Sequence, residues 1–227
     1  MDREPGRWCN GVVVVRIGVV SFGLLGALNQ LARDPASAPV RAAISNGIEQ
    51  IKAAVALIHA SHPLTRIVLV GILNNADWPP YFDRWRSPEE LSNIAAGLDA
   101  FDVPLKQLAQ ADSRIAFFDD RAWFTRHWGA RDERGTPDYK TCSWGPGLTV
   151  TMTQGDHPSH AVLADGHAGT VWNLLWAQSL VALLNSALSM RIAPITDPEI
   201  VCFLESEVMP QHDANACHAS PSRRPSC

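Results

Sequence analysis

Two residues that could act together as an acid–base pair lie close to the apolar stretch TVWNLLWAQSLVALLN. They are Asp165 and His167, which are two positions apart in the segment ADGHAG. A carboxylate beside an imidazole fixes its tautomer and stabilises the imidazolium that forms when the ring takes a proton. Gly166 and Gly169 give this loop freedom to turn, and Thr170 suits the N-cap of a following helix. The spacing permits a catalytic dyad, and it also permits a loop whose polar residues only cap that helix.

A candidate nucleophile, Ser21, follows the β-branched run VVVVRIGVV. In open α/β sheets, ligands bind beyond the carboxyl ends of the strands, and nucleophiles are found there. By the same reasoning Gly18, in this segment, and Asn75, in LNNADWPP, are candidates for an oxyanion-binding or cleft position. The alternative for Ser21 is a serine that satisfies backbone groups at the end of a strand.

Other chemistries have weaker support in the sequence. His157 and His160, with Asp165 and His167, could form a mixed Asp/His metal site, but Pro158 separates the first two and no helix fixes their geometry. We expect solvated loop histidines and no metal. The glycines of GVVSFGLLG are not spaced as in a dinucleotide-binding loop, so no nucleotide or other cofactor is expected.

Strands and helices alternate along the first half of the chain. Buried strands are predicted at Val12–Val20, Arg66–Leu73 and Arg114–Asp119, with helices between them. This alternation predicts adjacent parallel strands in a doubly wound α/β sheet. A final helix is predicted from Thr170 to about Leu188. We expect one domain over residues 1–197 and a disordered tail over 198–227.

The composition excludes several classes of function. The net charge of −4 gives no electrostatic basis for binding nucleic acid or an anionic membrane. The apolar run near the N-terminus is too short to span a bilayer, so no transmembrane segment is expected. That terminus is polar and does not resemble a signal peptide, which leaves the compartment undetermined. The five scattered cysteines predict neither a disulfide framework nor a cysteine zinc site.

From Val12 to Asn185 the chain resembles the later part of an SGNH/GDSL-type serine hydrolase. The segment from Gly18 to Ser21 resembles the family's third block, and RIVLVGIL is similar to its next strand. The segment VLADGHAGTVWNLLWAQSLVALLN resembles the terminal block, in which an Asp and the catalytic His precede the last helix. The resemblance implies a flavodoxin-like, three-layer α/β/α fold that hydrolyses small esters or acylated carbohydrates without a cofactor.

The chain also departs from the family pattern. The Gly-Asp-Ser block is absent, Val20 occupies the position of the oxyanion-hole Asn, and the terminal pair is Asp-x-His instead of Asp-x-x-His. We therefore expect a degenerate or N-terminally incomplete member that lacks the first strands. Two hypotheses follow: a serine ester hydrolase with His167 as base and Asp165 orienting it, or a non-catalytic domain that binds a carbohydrate or acyl ligand. Without a neighbouring strand, Val12–Val20 would be an exposed edge open to self-association.

Overall fold

The computed structural model describes residues 11–144 and 148–208, and it is a mixed α/β protein. These residues divide into two compact units. The first unit contains residues 11–140 and Leu183–Arg191, and the second contains residues 141–182 and those from Ile192 onward. The sequence predicted one domain over residues 1–197. That expectation stays a prediction, and the last long helix contributes residues to both units.

The first unit is built on a three-stranded parallel sheet. Its strands are β1 (Val12–Val15), β2 (Arg66–Val70) and β3 (Ile115–Phe118), in the order β1-β2-β3. The prediction of three adjacent parallel strands is therefore confirmed, although each strand is shorter than expected. Among the described residues β1 pairs only with β2, so it is an edge strand of this sheet.

The strand β1 ends well before Val20. Gly18 has a φ of 112°, and the chain then enters a short helix, α1 (Val19–Phe22). A Cβ at Gly18 would lie 2.6 Å from the Phe22 ring, so both the backbone conformation and the space favour glycine. The predicted strand over Val12–Val20 is wrong in its second half, and Ser21 lies in a helix rather than at a strand end.

Long helices connect the parallel strands. Helix α2 (Leu25–Arg33) and helix α3 (Ala38–Ser61) precede β2, and helix α4 (Pro88–Ala111) leads to β3. The apolar residues predicted to form one face of α3 are buried, from Val40 to Val55. Ser87 caps α4 through a reciprocal capping box with Glu90, and the helix continues through Pro104.

The segment after β3 forms a helix and then a hairpin. Asp119 accepts a hydrogen bond from the backbone N–H of Ala122 and caps helix α5 (Asp120–Trp128). A short antiparallel hairpin follows, formed by β4 (Gly129–Arg131) and β5 (Pro137–Tyr139).

The second unit contains a small mixed sheet. Strand β6 (Thr141–Trp144) is antiparallel to β7 (Leu148–Gln154), and β7 is parallel to β8 (His160–Val162). Helix α6 spans Thr170–Leu188, as predicted, and Trp172 is buried in it. By length and composition alone α6 could cross a membrane, but a core helix passes the same test, so this is weak support for a span.

The last described segment is helical. Helix α7 (Asp197–Phe203) has a capping box between Thr196 and Glu199, and a π-helical turn continues over Leu204–Val208. The expected disordered tail over 198–227 is therefore wrong for these residues, and its remainder, 209–227, lies outside the described residues. Cys202 is disulfide-bonded, which the scattered cysteine spacing did not predict.

Candidate functional site

Asp165 and His167 form a contact pair. The Asp165 Oδ2 atom lies 3.0 Å from His167 Nδ1, and the Asp165 Oδ1 atom accepts a hydrogen bond of 3.0 Å from the His167 backbone N–H. The predicted proximity of this carboxylate to this ring is confirmed. The carboxylate binds His167 instead of the first turn of α6, so the capping interpretation does not describe Asp165.

Backbone hydrogen bonds fix the conformation of the loop that carries this pair. The Gly166 N–H donates to the carbonyl of Leu163, and the Leu163 N–H donates to the carbonyl of His167 at 2.8 Å. Gly166 has a φ of 88°, a conformation that glycine adopts without strain. The Gly169 N–H donates to the carbonyl of Ala161 at 2.7 Å, which fixes the loop against β8.

The second ring nitrogen of His167 faces outward. The side chains of His167 and Asp165 are 82% and 64% exposed, and Nε2 makes no hydrogen bond with any described residue. The backbone N–H of His167, followed by its ring, lowers the pKa of the Asp165 carboxyl. An ionised carboxylate on Nδ1 leaves Nε2 as the atom that could take a proton from a reacting group.

The other two histidines of this region have separate partners. His157 Nδ1 lies 2.8 Å from the Ser159 hydroxyl, and His160 Nδ1 lies 2.7 Å from the Thr153 hydroxyl. Within residues 11–144 and 148–208, no group of three or more His, Cys, Asp or Glu side chains is arranged to hold a metal ion.

The first unit brings two other predicted segments together. Asn75 is buried, and its Nδ2 donates to the carbonyl of Gly23 at 2.8 Å, just beyond α1. This bond occupies the amide that was predicted to serve an oxyanion or cleft. Ser21 is exposed, and its hydroxyl makes no hydrogen bond with any side chain among the described residues. Gly18 supplies the turn between β1 and α1.

Ion pairs lie at the carboxyl ends of the outer strands, β1 and β3. Arg16 follows β1, and its Nη2 atom lies 2.9 Å from Oδ2 of Asp120. Asp120 follows β3, and its side chain is fully buried. Lys106 lies 2.7 Å from the neighbouring Asp119. Burial would raise the pKa of Asp119, but Lys106 and the Ala122 N–H hold it below its usual value. Each of these two aspartates has a basic partner on another segment of the first unit.

A second buried carboxylate anchors the centre of the same edge. Asp102 is 1% exposed and accepts hydrogen bonds from the backbone N–H of Ile72 and from Arg121, whose Nη2 lies at 2.7 Å. Burial raises the pKa of Asp102, against the opposing effects of Arg121 and the Ile72 N–H. The same guanidinium also contacts Asp99, an exposed residue.

The Trp/Pro-rich segment after β2 is partly buried. Trp78 and Trp85 are both buried. Beside it lies a cavity of about 340 Å³ lined in part by Asp77 and Arg131. Burial raises the pKa of Asp77, while Arg131 and Asn74, which bind its oxygens, lower it. The Asp77 carboxylate is therefore paired with the Arg131 guanidinium and the Asn74 amide.

The candidate residues are distributed over both units. Gly18, Ser21 and Asn75 belong to the first unit, and Asp165 and His167 belong to the second. No protein-family model, curated protein or solved structure matches this chain significantly. Side-chain geometry and sequence motifs are therefore the basis for assigning a function to this protein.

Proposed function

We propose that this protein is an SGNH/GDSL-type hydrolase that cleaves ester or acyl bonds, with His167 as general base and Asp165 as the residue that orients it. One observation carries the proposal. The Asp165 carboxylate lies 3.0 Å from His167 Nδ1, and Nε2 is open to solvent. This is the arrangement that a carboxylate–imidazole base requires. Small esters and acylated carbohydrates are the substrates that the family resemblance implies.

In the proposed reaction, Nε2 of His167 takes the proton of the attacking hydroxyl as the oxygen bonds to the acyl carbon. The ring then gives this proton to the leaving alcohol as the ester bond breaks. Water releases the acyl group by the same two proton transfers, so the products are a carboxylic acid and an alcohol. Asp165 holds Nδ1 protonated throughout. Ser21 is the candidate nucleophile that the sequence offers, and the Ser21→Ala variant below tests it.

The finer fold assignment belongs to the same proposal. Consecutive parallel strands β1, β2 and β3, linked by the long helices α3 and α4, support a flavodoxin-like α/β/α arrangement. The nucleophile block Gly-Asp-Ser is not in this sequence.

Hydrolysis of p-nitrophenyl acetate by the purified chain tests the proposal. We expect His167→Asn and Asp165→Asn to lower kcat/KM, with the histidine change costing about a hundredfold or more. His157→Asn is the matched control, because His157 is an exposed loop histidine in the same unit, and within the described residues its ring hydrogen-bonds only with Ser159. Equal activity in His167→Asn and the wild type would refute the role of the dyad. A parallel loss in Ser21→Ala would identify Ser21 as the nucleophile, and full activity in that variant would exclude it.

The second candidate function is a non-catalytic domain that binds a carbohydrate or acyl ligand. The bond from the Asn75 amide to the Gly23 carbonyl favours it, because this amide is then unavailable to an oxyanion. Val20, at the family's oxyanion position, has no side-chain donor. A chain without esterase activity that binds acetylated oligosaccharides in calorimetry, and binds them equally well as His167→Asn, would support this candidate.

We also propose that the chain associates with itself through β1. This strand is an edge, its residues are all valine, and Val14 is 40% exposed. Unpaired backbone groups on such an edge can pair with a second copy. Val14→Lys should shift the protein toward the monomer in size-exclusion chromatography with light scattering. Val103→Lys, at an exposed valine of α4, is the control and should leave the mass unchanged. A wild-type chain that is already monomeric would refute this part of the proposal.

A further inference from the structure

A second cavity of the first unit, of about 440 Å³, lies at the opposite end of the parallel sheet from Ser21. Its wall includes Arg66 and Arg114, which are at the amino ends of β2 and β3, and Ser189, just after α6. Its volume is in the range of small-molecule sites, about 300–1,000 Å³.

The two arginines face the cavity from neighbouring strands. Ile67 pairs with Ile115, and the Ile67 N–H donates to the carbonyl of Arg114, so Arg66 and Arg114 are the residues that precede a registered pair. Residues at equivalent positions of adjacent parallel strands project to the same face of the sheet. The side chains of Arg66 and Arg114 therefore project from the same face of the sheet, and their backbones are about 5 Å apart.

Of these two arginines, only Arg114 forms an ion pair within the described residues. Arg114 forms a two-bond fork with the Asp112 carboxylate, through Nε at 2.9 Å and Nη2 at 2.6 Å, and its Nη1 donates to the carbonyl of Pro63. Arg66 is half-buried and makes no ion pair or side-chain hydrogen bond with any residue in the described parts of the chain. Arg66, Arg114 and Asp112 together leave the cavity with a charge of about +1.

Further donors and an apolar wall complete the lining. The hydroxyls of Ser113 and Ser189 have no hydrogen-bond partner among the described residues. Leu64 and Leu188 provide apolar surface, and Leu64 is 63% exposed. The carboxyl end of α6 contributes a partial negative charge of about half a unit, which salt screens and which fades within one turn. The full charge on Arg66 outweighs it.

We infer that this cavity binds a small organic anion, with a carboxylate or phosphate on Arg66 and the serine hydroxyls and an apolar group against Leu64 and Leu188. Guanidinium groups bind both kinds of anion through paired hydrogen bonds. The inference does not depend on the proposed hydrolase function, because every residue it uses lies away from Asp165 and His167 in the sequence and within the first unit.

Titration calorimetry at low ionic strength tests this inference with phenyl phosphate, benzoate, inorganic phosphate and the neutral probe benzyl alcohol. We expect saturable binding of phenyl phosphate or benzoate, weaker binding of inorganic phosphate, and none of benzyl alcohol. The stronger of the first two probes identifies the anionic group. Arg66→Gln should weaken binding by about tenfold or more, while Arg33→Gln should have no effect. Arg33 is an exposed arginine on α2 without an ion pair in the described structure.

A second pair of variants avoids any dependence on the folding of Arg66→Gln. Ser189 has a φ of 51°, which Asn and Asp tolerate. Ser189→Asp places a carboxylate in the cavity and should abolish anion binding, whereas Ser189→Asn should retain most of it. Absence of saturable binding by every anion, or equal binding by Ser189→Asp and Ser189→Asn, would overturn the inference.

Discussion

The carboxylates of the first unit and the carboxylate of the second unit's loop are held in opposite ways. Asp102 and Asp120 are almost completely buried, and each contacts an arginine that is distant in sequence. Asp165 is mostly exposed, and its carboxylate is bonded to His167, two residues away. Burying a carboxylate costs free energy that only well-placed partners offset, so the buried pairs fix the positions of strands and helices. The exposed pair adds little to the fold, and its geometry is therefore free to serve chemistry.

The largest expected effect on the free energy of unfolding concerns the buried carboxylates. Asp102→Asn should lower the free energy of unfolding by about 3 kcal/mol, because Arg121 would be left with its charge half-buried and without its main partner. Asp99→Asn is a matched control, since Asp99 contacts the same guanidinium but is 58% exposed. We expect it to cost less than about 1 kcal/mol. Urea unfolding of both variants measures the difference, and equal losses would contradict the distinction between the two contacts.

A smaller effect is expected at Asp112, and it depends on pH. The hydrogen bond from Arg114 lowers the pKa of this carboxyl to about 2. A carboxyl whose pKa is lower in the folded state stabilises the fold above its unfolded pKa of about 3.9 and loses that contribution as the pH falls through 2. Asp112→Asn should therefore cost about 1 kcal/mol near neutral pH and progressively less below pH 4.

Thermal unfolding of the wild type and Asp112→Asn across this pH range measures the effect. Asp138→Asn is the control, because Asp138 is exposed and its carboxylate has no ion pair within the described residues. A difference between wild type and Asp112→Asn that stays constant from pH 7 to pH 2 would show that the charge is not responsible.

The smallest effect on stability is expected at the exposed pair. Asp165→Asn and His167→Asn should leave the melting temperature unchanged, because water already solvates both side chains. The same variants are the ones expected to lose esterase activity. A clear fall in melting temperature would assign the pair to the fold and would weaken its assignment to catalysis.

Local patterns were sufficient to predict several elements. The β-branched runs predicted three parallel strands with helices between them, and the final helix was predicted at nearly the observed bounds of α6. The Asp-x-His spacing permitted the contact between Asp165 and His167, although it permitted a capping role equally. Helix α5 was missed, although Asp119 at the end of a strand is a typical N-cap and was the available signal.

Contacts between distant residues were beyond the reach of these patterns. Arg16 and Asp120 are separated by 104 positions, and nothing near either residue identifies its partner. The end of β1 at Val15 depends on the same kind of information, since the valines that follow suit a strand as well as those before them. The division into two units is likewise defined by contacts and not by a change in composition.

The first unit is discontinuous in sequence, and this affects the order in which it can be completed during synthesis. The segment Leu183–Arg191 belongs to it, yet 42 residues of the other unit, from Thr141 to Ala182, are made in between. At about 5–20 residues per second, the ribosome needs roughly two to eight seconds to make them. During that interval the nascent sheet lacks the last turn of α6, including the buried Leu188. The cavity that contains Arg66 can therefore close only after most of the chain has left the ribosome.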